Sequence, residues 1–543
     1  MKKNKIKDTF KASVHMLLML MILVSCDDKL ETNPPDQLSS ETFWRTIGDA
    51  NAGLAAIYDG LQGNSRDKLS WSKLGYFDVF TPIGNSRNGG ARRIAEGGGT
   101  VNEGIFRNFW RAMYKGVVRA NDFLDNIDRV SFDIPNGEVE KNRMIGEARF
   151  LRAMYYYLLV EQYGDVPLFT SVPGIEDASA TRAPKAEVIA LIKEDLAFAF
   201  ANLPNPGTEE TGRATKGAAK ALEVKIALYE KNWAAAAAAC ETIMTMGYAL
   251  VPEFEDVINI DNENNDEVIF DVEHVFMTDA EPGGSFEKYY AFRSSAASGW
   301  SEIQPTRWLV EQYEVLDPNP TSVNPDPERI PNEVFYFFEG RDPRMDKTIL
   351  RAGKTFVNQF NTSIVHPHEF SAINHTQTGM HMRKYVIPGP GSANFDSPLD
   401  FIIFRYADIL LNYLEAVAMR DGINTVSQEI LDQTINAIRI RASNTLPLFT
   451  SGNITMEDIY HERIVELAME GWTYFDMKRN GMIEMNDGYV VQGLRIKAGQ
   501  TIEFNNQVRP PRFFDPNKHY LWPITIDELE RGEGLEQNPG YTD

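Results

Sequence analysis

Apolar residues recur at three- and four-residue spacings along much of this chain, and the segments carrying that pattern come in pairs. One pair is Asn108 to Ile127 followed by Val139 to Tyr163; another is Lys216 to Lys231 followed by Trp233 to Met246. Within the second pair Ala221, Val224 and Leu228 stand at i, i+3 and i+7, one face of a helix. The small side chains there let a neighbouring helix approach closely. A chain written this way folds as helices packed on helices, because each apolar stripe must be covered.

The stretch Ala218 to Ala239, turning at Leu228 to Trp233, resembles a tetratricopeptide unit, two antiparallel helices whose apolar faces are buried by stacked neighbours. Tyr406 to Arg420 begins a second candidate, and an ordinary helical hairpin is the alternative reading. From Phe254 to about Lys384 the chain changes character, rich in Pro, Gly, Asn and aromatics with little helical periodicity. This middle part reads as long loops with short strands, Val268 to Val272 being one strand and the proline-rich Asp317 to Pro331 irregular. Loops so long and so aromatic point to function.

The N-terminus sets the compartment. Lys2, Lys3, Lys5, Lys7 and Lys11 precede an apolar run from Val14 to Val24, the layout of a secretory signal. The run is too short to span a bilayer, which takes about 20 residues. Leu23-Val24-Ser25-Cys26 resembles the bacterial lipobox, which implies cleavage before Cys26 and acylation of its thiol. The tri-acylated terminus implied there anchors firmly, whereas one chain holds only marginally. Asp27 and Asp28 resemble the acidic tag that carries such lipoproteins to the outer face. With Cys26 acylated only Cys240 is left, so no intrachain disulfide forms, and its alanine-rich setting reads as buried packing.

A chain 43% hydrophobic and 24% charged has an ordinary globular balance, which excludes disorder. Its net charge of −23 becomes more negative once the signal's five lysines leave with Asp8. No Lys or Arg cluster exceeds two consecutive residues, so nucleic acid is excluded as a partner. A neutral or cationic ligand suits this field better than a polyanion, although global charge says little about one groove.

Most motifs with chemistry fail on inspection. His366, His368, His375 and His381 cluster without a recognisable ligand pattern and read as a polar surface loop. His461-Glu462 lacks the second histidine of a zinc protease helix, Val465 standing in that position. Gly97-Gly98-Gly99 lacks the Lys-Ser/Thr of a phosphate loop and reads as flexible. Asp261 to Glu267 has no glycine at the turn of a calcium loop. With 77 acidic residues, no sequence-level carboxylate pair argues for a glycosidase. No catalytic group, metal or cofactor is expected.

The loops do offer aromatic and planar polar residues: Trp71 and Arg87, then Tyr289, Tyr290, Phe292, Arg293 and Trp300. Sugar rings stack their C–H faces on aromatic rings, while Arg and Asn bind hydroxyls, so the mixture suits a carbohydrate platform.

Four segments in order resemble the SusD/RagB family of nutrient-binding outer-membrane lipoproteins. They are Phe43-Trp44 with Asp49 to Leu54 and Tyr58; Glu147 to Ala153 leading to Tyr163 to Leu168; Glu462 to Gly471 leading to Phe475 to Arg479; and Tyr520 to Ile524 with Gln537 to Tyr541. Their own physical reading is structural. Ile464, Leu467, Ala468 and Gly471 form one helix face, Arg463 and Glu466 pair on another, and Gly164 with Pro167 stops a helix.

The resemblance implies a mainly α fold, a superhelix of tetratricopeptide-like helix pairs carrying an irregular, loop-rich lobe with short strands. The expected organisation is a signal peptide (1–25), an anchored linker (26–40), an N-terminal helical part (41–253), the lobe (254–384) and a C-terminal helical part (385–543) completing one domain. It implies an outer-membrane, outward-facing, non-enzymatic protein that passes oligosaccharide to a SusC-like TonB-dependent transporter. A surface glycoside hydrolase and a protein- or peptide-binding helical scaffold are the alternatives. The ligand face of relatives corresponds to about Asn85 to Gly104 and Tyr289 to Trp308. Asn85 to Gly104 contains no Trp or Tyr, so starch, which favours an aromatic cradle, fits poorly; a glycan read by hydrogen bonds or charge fits better. The expected stacking groups are Tyr289, Tyr290 and Trp300, and the expected polar partners Arg87, Asn88, Arg92, Arg93 and Arg293.

Overall fold

The structure is a computed structural model that describes residues 43–541 apart from 64–68, 209, 276–283, 285–286, 292–298, 325–326, 329, 352–353, 358–362, 366–375, 387–396, 498–499 and 533. Cys26, Phe292, Arg293, His366, His368 and His375 lie outside the described residues.

Helix α1 (Ile47–Gln62) begins at a reciprocal cap: Asp49 N donates to Thr46 Oγ1 at 3.2 Å, and Thr46 N donates to Asp49 Oδ2 at 2.8 Å. Strand β1 (Gly84–Ser86) and the short α2 (Gly89–Ala95) follow, then α3 (Gly104–Asn126), α4 (Gly137–Tyr163), α5 (Lys185–Asn202), α6 (Lys216–Tyr229) and α7 (Trp233–Met244). From α3 onward each helix packs on the next. Helix α4 is buried all round from Phe150 to Tyr163, so its one guanidinium there needs a partner. Arg152 finds it in Asp195 of α5, through two bonds of 2.8 Å.

The α6–α7 pair packs through Ala218, Ala219, Ala221, Ala236 and Ala237, all buried. Asn232 caps α7 by accepting from Ala235 N at 3.2 Å, after Lys231 turns the chain with φ +56°. Cys240 is buried in this pair, and burial raises its thiol pKa well above the ordinary value. The tetratricopeptide-like reading holds here.

The middle of the chain contains β2 (Val268–Val272), α8 (Glu287–Tyr290), β3 (Ile303–Pro305), α9 (Arg307–Gln312), α10 (Asn332–Phe338), α11 (Arg344–Thr348), β4 (Ile349–Leu350), β5 (Thr355–Val357), β6 (Ser363–Val365) and β7 (His381–Met382). Strand β2 has the bounds expected from sequence. The short helices were not expected, since fewer than eight residues make barely two turns and leave little periodicity to read.

Strand β8 (Phe401–Arg405) pairs antiparallel with β2, Val272 opposite Phe401, and runs into α12 (Tyr406–Asp421), which packs on α7. Then come α13 (Gln428–Gln433), α14 (Ile435–Ala442), α15 (Met456–Leu467), α16 (Trp472–Arg479), the β9 (Gln492–Lys497) and β10 (Gln500–Gln507) hairpin, and α17 (Ile526–Arg531). The C-terminal segment returns to the N-terminal helices: Trp522 stacks on Phe77 at 5.7 Å, and Trp522 N donates to Gln162 O at 2.6 Å.

Two sequence readings are corrected. Helix α15 ends at Leu467, so Ala468 and Gly471 are not on its face. Arg463 and Glu466 do not pair: Arg463 binds Asp408 (2.9 Å), Asn412 (2.6 Å) and Asp476, while Glu466 accepts from Arg405 (2.7 Å), Arg344 (3.0 Å) and Arg441. Partners brought from distant helices outcompete a weak in-helix pair. Among the described residues no helix is long and apolar enough to cross a membrane.

Candidate functional site

The loop-and-helix segment after β1 meets the middle lobe at one rim. Strand β1 pairs antiparallel with β3, Asn85 opposite Gln304 and Ser86 opposite Ile303. The pairing continues one step outward, where Arg87 N donates to Glu302 O at 3.1 Å. Tyr76, buried beneath, secures both strands by contacting Ser86 Oγ at 3.1 Å and donating to Glu302 Oε2 at 3.0 Å. Arg87 is thereby aimed at the segment before β3, and its Nη1 donates to Trp300 O at 3.2 Å.

Trp300 is 38% exposed, with the Lys288 ammonium 3.8 Å from its ring centroid. Tyr289 and Tyr290, expected beside it as stacking groups, are only 1% and 0% exposed. Tyr289 packs edge-on against Tyr76 and Trp300, and Tyr290 packs against Tyr385, so both rings are core. Trp71 is likewise buried, between Tyr157, Phe404 and Trp472.

The polar candidates divide in the same way. Asn88 caps α2, its Oδ1 accepting from Gly90 N at 3.0 Å and Ala91 N at 3.2 Å. Arg93 is held by Glu103 in a two-bond grip of 2.6 and 2.9 Å. Arg92, one residue earlier, faces differently: its Nε lies 3.8 Å from Glu96 and its side chain is 37% exposed. Trp300 and Arg87 therefore stand together at the rim, with Arg92 exposed on the adjoining α2, whereas Asn88 and Arg93 fix the segment that carries them.

The sequence reading missed the third wall. Gln377 reaches the rim through its backbone N, which donates to Gln304 Oε1 at 3.0 Å. Its own Oε1 accepts from Asn85 Nδ2 at 3.4 Å and from Arg509 Nη2. Three residues on, Arg512 is buried and donates to the carbonyls of Thr81 (2.7 Å), Gly84 (2.7 Å) and Val79 (3.1 Å), fastening this segment beneath β1. Phe513 N donates to Glu96 O at 3.3 Å, and its ring is 56% exposed. A Cβ on Gly97 would stand 2.1 Å from Phe513 O at φ +78°, so this glycine permits a close crossing and is not a flexible hinge. The signal for this wall was Arg509-Pro510-Pro511-Arg512-Phe513-Phe514, where prolines hold guanidinium and aromatic groups on an extended chain.

Other motifs resolve into structure. His461 Nε2 contacts Gln312 O at 2.7 Å, Glu462 binds Arg344 and Arg439, and His381 is buried against Ser301 Oγ at 3.2 Å. Among the described residues no group of three or more His, Cys, Asp or Glu is arranged to hold a metal ion.

The sequence profile of the SusD family matches residues 266–541. The chain belongs to the SusD family. A second SusD-like profile, described as starch-binding and associating with the outer membrane, matches residues 30–228. SusD-like protein P25 of Formosa agariphila is 25% identical over 559 residues, 95% of each chain. A SusD-like carbohydrate-binding protein from Bacteroides fragilis superposes with a TM-score of 0.77 at 27% identity, covering 91% of this chain and 100% of the other. A laminarin-binding SusD-like protein gives 0.69 at 21% identity, covering 92% and 100%. In this SusD family member the four segments that carried the resemblance are scaffold: Trp522 and Tyr163 lie in the core, and Glu466 and Glu470 bind Arg405.

Proposed function

We propose that this protein is a cell-surface glycan-binding lipoprotein, anchored outward on the outer membrane through acylated Cys26, that passes oligosaccharide to a SusC-like TonB-dependent transporter without catalysis. The observation that carries the binding role is the rim itself, where a partly exposed tryptophan is bonded through its carbonyl to Arg87 and the adjoining strand β1 is joined through Asn85 to Gln377 and Arg509. An aromatic ring bordered by planar donors matches a sugar, whose apolar face and hydroxyls lie at right angles. The carbohydrate-binding relative at 27% identity supports the same reading. The lipobox and the outer-membrane description of the matching profile support the anchor. The rim acids Glu96 and Glu103 are paired with Arg92 and Arg93, a positioning role, whereas a glycosidase needs an acid and an ionised partner across the bond.

The test is a thermal-shift screen of the soluble chain, begun after Cys26, against plant, host and microbial oligosaccharides, with reducing-sugar release followed in parallel. One glycan class should raise Tm without releasing sugar, since only ligands of the native state stabilise it. Sugar release would establish a hydrolase; a shift with peptides and none with any saccharide would establish the scaffold alternative.

A further inference from the structure

The charge on the rim runs against the charge of the molecule. The chain carries a net −23, yet the rim gathers guanidinium groups. Arg509 donates to Gln377, a neutral acceptor, and its Nε is buried without a hydrogen-bond partner among the described residues. Arg92 stands on α2, which Phe513, four residues past Arg509, joins through Glu96 O. Burial first, then the charges of Arg92 and Arg87, lower the pKa of Arg509, with Glu96 opposing. Two kinds of arginine occur elsewhere: Arg405 meets Glu267, Glu466 and Glu470, and Arg93 meets Glu103, whereas Arg512 spends its donors on the carbonyls of Thr81, Gly84 and Val79; Arg509 does neither in full. Among the described residues no carboxylate forms an ion pair with Arg509, and Arg92 meets Glu96 only at 3.8 Å, so donors remain for a planar or tetrahedral anion, which guanidinium groups bind through paired N–H groups.

We propose that the glycan is anionic, its carboxylate or sulfate groups received by Arg92 and Arg509 with Arg87 beside them, while a sugar ring lies against Trp300. This rests on the glycan-binding reading above and names its substrate class. The molecule's negative field does not forbid such a ligand, because at physiological ionic strength it is screened beyond about 8 Å while contacts in the rim are not.

The experiment is calorimetric titration of the soluble chain with matched pairs: an oligogalacturonide and its carboxyl-reduced form, and a sulfated galactan oligosaccharide and its desulfated form. The acidic member of one pair should bind at least about 10-fold more tightly than its neutral twin, with affinity falling as salt is raised. The pair that responds distinguishes carboxylate from sulfate. Arg92→Met and Arg509→Met should each weaken that binding by about 10-fold or more and flatten the salt dependence, as loss of a charged hydrogen bond requires. Arg92 is on the surface, so its variant reports even where the Arg509 variant folds poorly. Neutral members binding as well as or better than acidic ones would overturn the anionic inference and leave glycan binding intact. No binding by any of the four, together with silence in the wider screen, would overturn both.

Discussion

Trp300 and Tyr290 lie ten positions apart in the same lobe, and their substitution should give opposite results. Trp300 is 38% exposed, so Trp300→Ala should abolish or strongly weaken glycan binding while costing under about 1 kcal/mol of stability. Tyr290 is fully buried, and Tyr290→Ala should cost about 3–5 kcal/mol, read as a lower midpoint in urea at unchanged slope. Normal stability of the Tyr290 variant together with lost binding would return that ring to the site. The sequence could not separate the two. Tyr290 is buried by Tyr385, and Gly75 makes room for its hydroxyl, a Cβ there standing 2.1 Å from it, and neither neighbour is local. The position of Arg87 and Trp300 beside one another was legible in outline, because donor and aromatic chemistry falls in the two segments that β1 and β3 join; Arg509 and Gln377 were not, because only tertiary pairing brings them alongside β1.

At the scale of elements, the long helices were the most legible part of the fold. Helices α3, α4, α6 and α7 begin within four residues of the positions read from sequence, since apolar and small residues sustained over three or more turns mark a helix even where, as in α4, most of its surface is buried. The helix ends were harder, and α15 shows why. Its periodic pattern runs past Leu467, but Met469 takes φ +67° and Gly471 φ +94°, turning the chain toward α16. Gly471 N then donates to Asp78 Oδ2 at 3.0 Å, and a Cβ on Gly471 would stand 2.2 Å from Leu74 O. What ends the helix is backbone from the far side of the sequence. Gly471→Ala must therefore pay for both the left-handed backbone and the clash, an expected loss of about 2 kcal/mol or more. Thermal unfolding checks it: the variant should melt earlier with unchanged helical circular dichroism before the transition, and an unchanged Tm would show that the α15–α16 turn can relax.

The whole molecule carries two sets of buried acids whose effects on stability have opposite sign. In the first, burial alone would raise Glu466, but Arg441, Arg405 and Arg344 hold it far below the usual range; burial likewise acts on Asp476 and is outweighed by Arg463 and Arg479. These acids stabilise the native state above an unfolded pKa of about 4, and the contribution is lost as pH falls. In the second set, burial and the neighbouring Glu273 and Glu263 push Asp271 up to about 7. Burial, Asp271 and Glu263 push Asp400 up to about 9, and burial pushes Asp78 up to about 8. A carboxyl that is neutral when folded and ionised when unfolded favours unfolding increasingly as pH rises from about 4 toward its native pKa. His274, lowered to about 4 by burial, and His519, also lowered by burial, oppose this below about 6.5, and Lys478, lowered to about 8 by burial, opposes it above about 8, so the three acids set the sign in between. Stability should therefore peak near pH 5 and decline toward about pH 8. Asp271→Asn isolates the second set. It keeps the side chain's shape, removes the charge that must be suppressed, and should flatten the alkaline decline by about 1–3 kcal/mol while leaving the acid limb unchanged. Chemical denaturation from pH 4 to 9 on both proteins measures it: parallel curves would mean that Asp271 is ionised in the native state, its charge balanced within the β2–β8 junction.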